Sequence, residues 1–217
     1  FSQVRERFAD RAELSKLFVL NRDIMIRTFC LITVFATFTN AGAAMGTAVL
    51  AVNTILLKLL ETAAYFIDGL AFAAQSLAGI FRGSGDRAAL RQLVRTSIVW
   101  GLGLAAASVA AILIFPEPIF STLTSHREIV AAASQFAPWL AATITVGSTA
   151  YILDGYFIGL TEGRTLRIGM LISLAVFMPI AWAAVSAGSN ELLWGAMLIF
   201  MAARVITLGR EIPATLA

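Results

Sequence analysis

The chain has 217 residues, 59% of them apolar and 13% charged, with a formal charge of +3. A soluble domain carries about 25% charged residues, so this chain lacks the side chains to cover a water-facing surface, and a mean hydropathy of +0.85 agrees. Nor does the basic excess mark a nucleic-acid binder, because Lys and Arg cluster in short stretches between apolar runs, where they set membrane topology.

Residues 1–18 mix Arg5, Arg7, Arg11 and Lys16 with Glu6, Asp10 and Glu13, while Val4, Phe8 and Leu17 recur at roughly helical spacing. This predicts an amphipathic connector on the cytoplasmic membrane surface, preceding a membrane domain over 19–217. A bilayer core needs about 20 apolar residues per helix. The first span is expected over about 21–40, capped by Asn21, with Asp23 and Arg27 as an i,i+4 pair. After a tight turn at Ala41–Gly46, the second runs over 47–81, longer than a bilayer requires. Arg82–Arg95 reads as a hydrophilic loop broken by Gly83 and Gly85. A third span over 96–115 ends at Pro116 and Pro118. Ser125 and Glu128 have capping-box spacing and open a fourth over 126–160, with Pro138 as a kink point. The fifth covers 166–185, interrupted by Pro179, and the sixth 192–208. The fold class expected is an all-α integral membrane bundle of six transmembrane helices.

Orientation follows from the basic residues. With a cytoplasmic N-terminus, the inside segments hold the N-terminal cluster with Arg82, Arg87, Arg91, Arg95, Arg164, Arg167, Arg204 and Arg210, and the outside loops hold only Arg127. That asymmetry places both ends in the cytoplasm of a cell with the protein in its inner, plasma membrane. Trp182 and Trp194 fall near the outer boundary and Trp100 near the inner one, as interfacial belt residues.

The second span carries the informative pattern. Thr54, Lys58, Glu61, Tyr65, Asp68, Phe72 and Gln75 follow one another at spacings of 4, 3, 4, 3, 4 and 3, which lie along one helix face. Charges at mid-membrane cost about 2.5–3.5 kcal/mol each, so Lys58, Glu61 and Asp68 facing lipid would cost of order 8–10 kcal/mol. They must face protein or water, and Lys58 and Glu61 are close enough to pair. Two readings stand. The stripe is either a structural ion pair at a helix contact with Asp68 capping a neighbouring backbone, or the lining of an aqueous cleft that takes cations or protons. Tyr65 and Phe72 could hold a lipophilic cation over their ring faces, and are equally ordinary packing residues. In the fourth span Tyr151 and Asp154 repeat the theme, and Asp154-Gly155 echoes Asp68-Gly69, a short internal similarity of the kind transporters show. Cys30, Thr33, Thr37 and Asn40 share a face of the first span, a pattern that more often glues helices than binds substrate.

Absences narrow the field. One cysteine, Cys30, excludes an internal disulfide, and with His126 as the one histidine neither a Cys cluster nor a His-rich metal site is expected. The sequence has no HExxH, no GxSxG around Gly147-Ser148, no GxxxxGK[ST] and no potassium-filter segment. Neither an enzyme nor a cofactor is expected. No signal peptide is visible and the chain begins at Phe1, which fits a fragment or processed subunit.

Three ordered stretches resemble the DinF-like branch of the MATE (multidrug and toxin extrusion) transporters. They are Leu20-Asn21-Arg22-Asp23-Ile24-Met25-Ile26-Arg27-Thr28, the run Ile67–Gly79 followed by Gly83–Asp86, and Leu153-Asp154-Gly155-Tyr156-Phe157-Ile158-Gly159-Leu160. The resemblance implies one lobe, helices seven to twelve, of a twelve-helix exporter. Its implied partners are the bilayer, a missing N-terminal six-helix lobe and cationic or amphipathic small molecules. The implied driving force is a proton or sodium gradient. Gln75 stands where the resemblance leads one to expect an acidic residue after Ala73-Ala74, and the aspartate usually linked to protons in this branch belongs to the other lobe. The cleft candidates are Lys58, Glu61, Tyr65, Asp68, Phe72, Gln75, Tyr151 and Asp154. Two alternatives remain, a flippase of lipid-linked substrates from the same superfamily and a non-transporting structural subunit.

Overall fold

The computed structural model describes residues 11–216, all helices and short turns. In chain order these are α1 (Arg11–Ala44), α2 (Thr47–Ser84), α3 (Arg87–Ile114), α4 (Pro116–Leu123), α5 (Arg127–Gly159), α6 (Gly163–Ala187) and α7 (Asn190–Leu216). Among the described residues six helices are long and apolar enough to cross a membrane, all but the eight-residue α4. The first ten residues of the expected connector lie outside the described residues. From Arg11 onward the chain is already α1, so Asn21 sits inside a helix and caps nothing.

The hydrophilic loop expected over 82–95 is a two-residue turn. Helix α2 runs on to Ser84, Gly85 takes the left-handed conformation (φ 72°) that closes a helix C-terminus, and the Asp86 carboxylate caps α3 by accepting the Ala89 N–H at 2.9 Å. The charged residues that read as loop are the exposed first turns of α3. At the other end of the bundle α3 stops at Ile114 and Pro116 starts the short α4. The Ser125 capping box does not form. His126 occupies the cap position, and its N–H is donated to Thr124 Oγ1 at 3.3 Å.

Helix α2 packs most extensively on α5, α6 on α7 and α1 on α6, while α7 also meets α5 and α3 lies against the α2–α5 pair. Small residues make the α2–α5 crossing. A Cβ on Gly155 would overlap the Ala71 carbonyl, and one on Gly159 the Gln75 carbonyl, so glycine is what lets the two backbones meet. The main core fills the bundle with Phe38, Phe177, Trp194 and Phe200, and a second cluster around Tyr156, Phe157 and Leu90 fills the end that carries the arginines. Trp194 is fully buried, not an interfacial belt residue. Its indole N–H donates to Asn53 Oδ1 at 3.0 Å, while Asn53 and Asn190 exchange amide hydrogen bonds at 2.8 and 3.0 Å. Those bonds tie α2 to α7 at the end opposite the arginines. Trp100 and Trp182 are exposed, as belt residues would be.

Candidate functional site

A cavity of about 160 Å³ opens between α1, α2 and α5, lined by Arg27 from α1, Asp68, Phe72 and Gln75 from α2, and Tyr151 and Asp154 from α5. The 3–4 spacing of the α2 residues puts them in one row, and the glycine contacts bring that row against Tyr151 and Asp154. Five of the eight sequence-derived candidates therefore meet in one place. The other three, Lys58, Glu61 and Tyr65, continue the row along α2 beyond the cavity. Tyr65 is 70% exposed.

The two aspartates of the site differ in environment. Asp154 is buried, and its Oδ2 accepts from Arg27 Nη2 and from Arg204 Nη2 of α7. Arg204 is 1% exposed and lies over the rings of Tyr151 and Phe200, at 5.3 and 5.6 Å from their centroids. The Nε atoms of Arg27 and Arg204 are buried without a hydrogen-bond partner among the described residues; Asp154 is the carboxylate both guanidiniums meet, and Arg204 also reaches Met201 Sδ at 3.3 Å. Asp68, partly exposed at the cavity wall, has no ion-pair partner within 4.0 Å among the described residues. One carboxylate is thus locked into the scaffold and the other faces the cavity.

Arg27 and Arg204 were absent from the sequence-derived set. The expected Asp23–Arg27 pair does not form. Asp23 instead accepts from Arg167 Nη1 at 2.6 Å, joining α1 to α6, and from Arg22 at 3.1 Å. Arg204 was read as a topology determinant, yet it lies within the sixth apolar run, where an arginine requires a buried partner. That position was the available signal. Lys58 and Glu61 do pair, at 3.1 Å, with 64% and 43% of their side chains exposed, so the pair faces outward from the bundle and locks no helices together.

Comparison with known proteins gives a consistent result. A family model described as MatE matches residues 24–205. The DNA damage-inducible protein F of Escherichia coli (strain K12) is 32% identical over 202 residues, covering 91% of this chain and 43% of the relative. Protein DETOXIFICATION 44, chloroplastic, of Arabidopsis thaliana is 26% identical over 182 residues, 83% of this chain and 34% of the relative. Among solved structures, a mutant of the Vibrio cholerae MATE transporter VcmN superposes with a TM-score of 0.70 at 16% identity, over 93% of this chain and 45% of that one. At that identity the structural likeness speaks for the fold alone. The chain spans less than half the length of each of these proteins.

Proposed function

The chain belongs to the MatE family of transporters, and from that premise we propose that it is one of two lobes of a secondary exporter of cationic or amphipathic compounds, driven by a proton or sodium gradient. The match to less than half of each relative supports a second lobe of similar size. In this reading residues 19–217 form the lobe, residues 1–18 connect it to its partner on the cytoplasmic side, and both ends face the cytoplasm of a cell whose inner membrane it spans.

The observation that carries the reading is Asp68, a carboxylate with no ion-pair partner among the described residues, on the wall of a cavity that also carries Arg27, Gln75 and Asp154. A carboxylate retained in a membrane helix is costly unless it meets water, a cation or a proton. When ionised, Asp68 holds a cation in the cavity; when protonated, it loses that attraction and releases it. Phe72 and Tyr151 offer ring faces to the same solute. Alternating access comes from rocking of this lobe against its partner, with α2 as the wall between them.

The test is drug-resistance complementation by the full-length protein in cells stripped of their own exporters. Asp68→Asn is expected to abolish resistance at unchanged membrane abundance. Undiminished export by Asp68→Asn would remove this residue from the mechanism.

A further inference from the structure

A second and larger cavity, about 320 Å³, lies away from the proposed export site, where the ends of three helices converge. Phe81 and Arg82 of α2, Arg87 and Leu90 of α3, and Thr215 of α7 line it. Its position is fixed from several sides. The Gly85–Asp86 turn joins α2 to α3, and Tyr156 of α5 holds the end of α7 through a 2.9 Å contact between its hydroxyl and that of Thr215. Phe81 and Leu90 make part of the wall apolar, and the two arginines supply its charge.

Two nearby acids offset part of that charge without occupying the space between the arginines. Glu162 stands 3.6 Å from Arg82, both about half exposed. Asp86 keeps its negative charge but is turned to cap α3, accepting the Ala89 N–H. Arg87 has no carboxylate within 4.0 Å among the described residues. Depth adds a further constraint. Helix α3 has 28 residues, roughly 42 Å at 1.5 Å per residue, which matches a bilayer of about 40–45 Å measured through its headgroups. Crossing along the bilayer normal, a helix of that length would bring its first residue, Arg87, to headgroup depth.

We propose that this cavity binds a phosphate-bearing anion between Arg82 and Arg87, with the apolar wall receiving what the phosphate carries. Guanidinium matches the geometry of a phosphoryl group better than any other side chain. The chemistry is shared by a phospholipid headgroup and by a soluble phosphate, and the experiment separates them.

The full-length protein in neutral detergent is titrated with phosphatidylglycerol in one arm and inorganic phosphate in the other, following thermal unfolding and, for the lipid, native mass spectrometry. A saturable rise in unfolding temperature with at least one probe is expected. Arg82→Gln and Arg87→Gln should each weaken it roughly five-fold, while Arg91→Gln, an exposed arginine on α3 outside the cavity, leaves it unchanged. A response to the lipid alone identifies a headgroup site, and a response to both identifies a site for the phosphoryl group itself. Arg87→Gln breaks no ion pair seen among the described residues, so that variant serves if loss of Arg82 harms folding. The proposal is overturned if neither probe gives a saturable response, if Arg87→Gln binds like the parent, or if Arg91→Gln weakens binding as much.

Discussion

Asp154 accepts from two arginines that lie 127 and 50 positions away in sequence, on α1 and α7. Removing its charge strands the buried guanidinium of Arg204 and the partly exposed one of Arg27 at once. Breaking a buried ion pair by deleting one partner costs about 3–5 kcal/mol, so Asp154→Asn is expected to lower the unfolding temperature of the purified protein sharply, and its loss of export follows from loss of fold. Asp68→Asn breaks no ion pair among the described residues and is expected to change stability by no more than about 0.5 kcal/mol, with export lost. Scanning fluorimetry of both variants beside the complementation assay separates the two roles. The row on α2 was legible from spacing because both its members and its cost are local. The partners of Asp154 were not, because a helical repeat reports which residues share a face and says nothing of which distant helix that face will meet. The pairing of Asp23 shows the same limit. Its i,i+4 neighbour Arg27 turns to Asp154, and the partner it takes instead, Arg167, is 144 positions away.

The α2–α5 crossing sets the site because it fixes how far Asp68 stands from Asp154. Gly155 and Gly159 lie one turn apart on α5 and abut carbonyls of α2, backbone that cannot swing aside as a side chain would. Gly159→Ala and Gly155→Ala are each expected to destabilise by about 1–3 kcal/mol through overpacking and to distort the cavity. Gly103→Ala, where an added Cβ meets nothing within 4 Å, should be neutral or stabilising by up to about 1 kcal/mol from helix propensity. Thermal unfolding of the three variants checks the contrast. The six spans were legible because runs of apolar residues and the cost of unpaired backbone in lipid leave few alternatives. Helix ends were not. Charged residues between two runs look the same whether they form a loop or the exposed turns of a helix that extends past the lipid, and here Asp86 decides for the helix by capping it. Trp194 shows a similar ambiguity, since an indole N–H that suits a headgroup serves equally well against a buried Asn53.

Across the whole lobe, the described arginines concentrate at the end where α2 meets α3, and the opposite end, with the α1–α2 and α6–α7 turns, holds few. With the arginine-rich end placed in the cytoplasm, Ser189→Cys should react with a membrane-impermeant maleimide on intact cells and Ser84→Cys only after permeabilisation. Labelling in the reverse order would turn the proposed orientation over. The native Cys30 is buried and stays silent in such an assay. The Lys58–Glu61 pair, meanwhile, lies on the outside of the bundle and more than a third exposed on each side chain. Facing lipid, two such charges cost about 2.5–3.5 kcal/mol each before pairing offsets part of it. In the proposed two-lobe exporter this charged strip of α2 is the side that a second lobe or water would cover, which gives the bundle a front and a back.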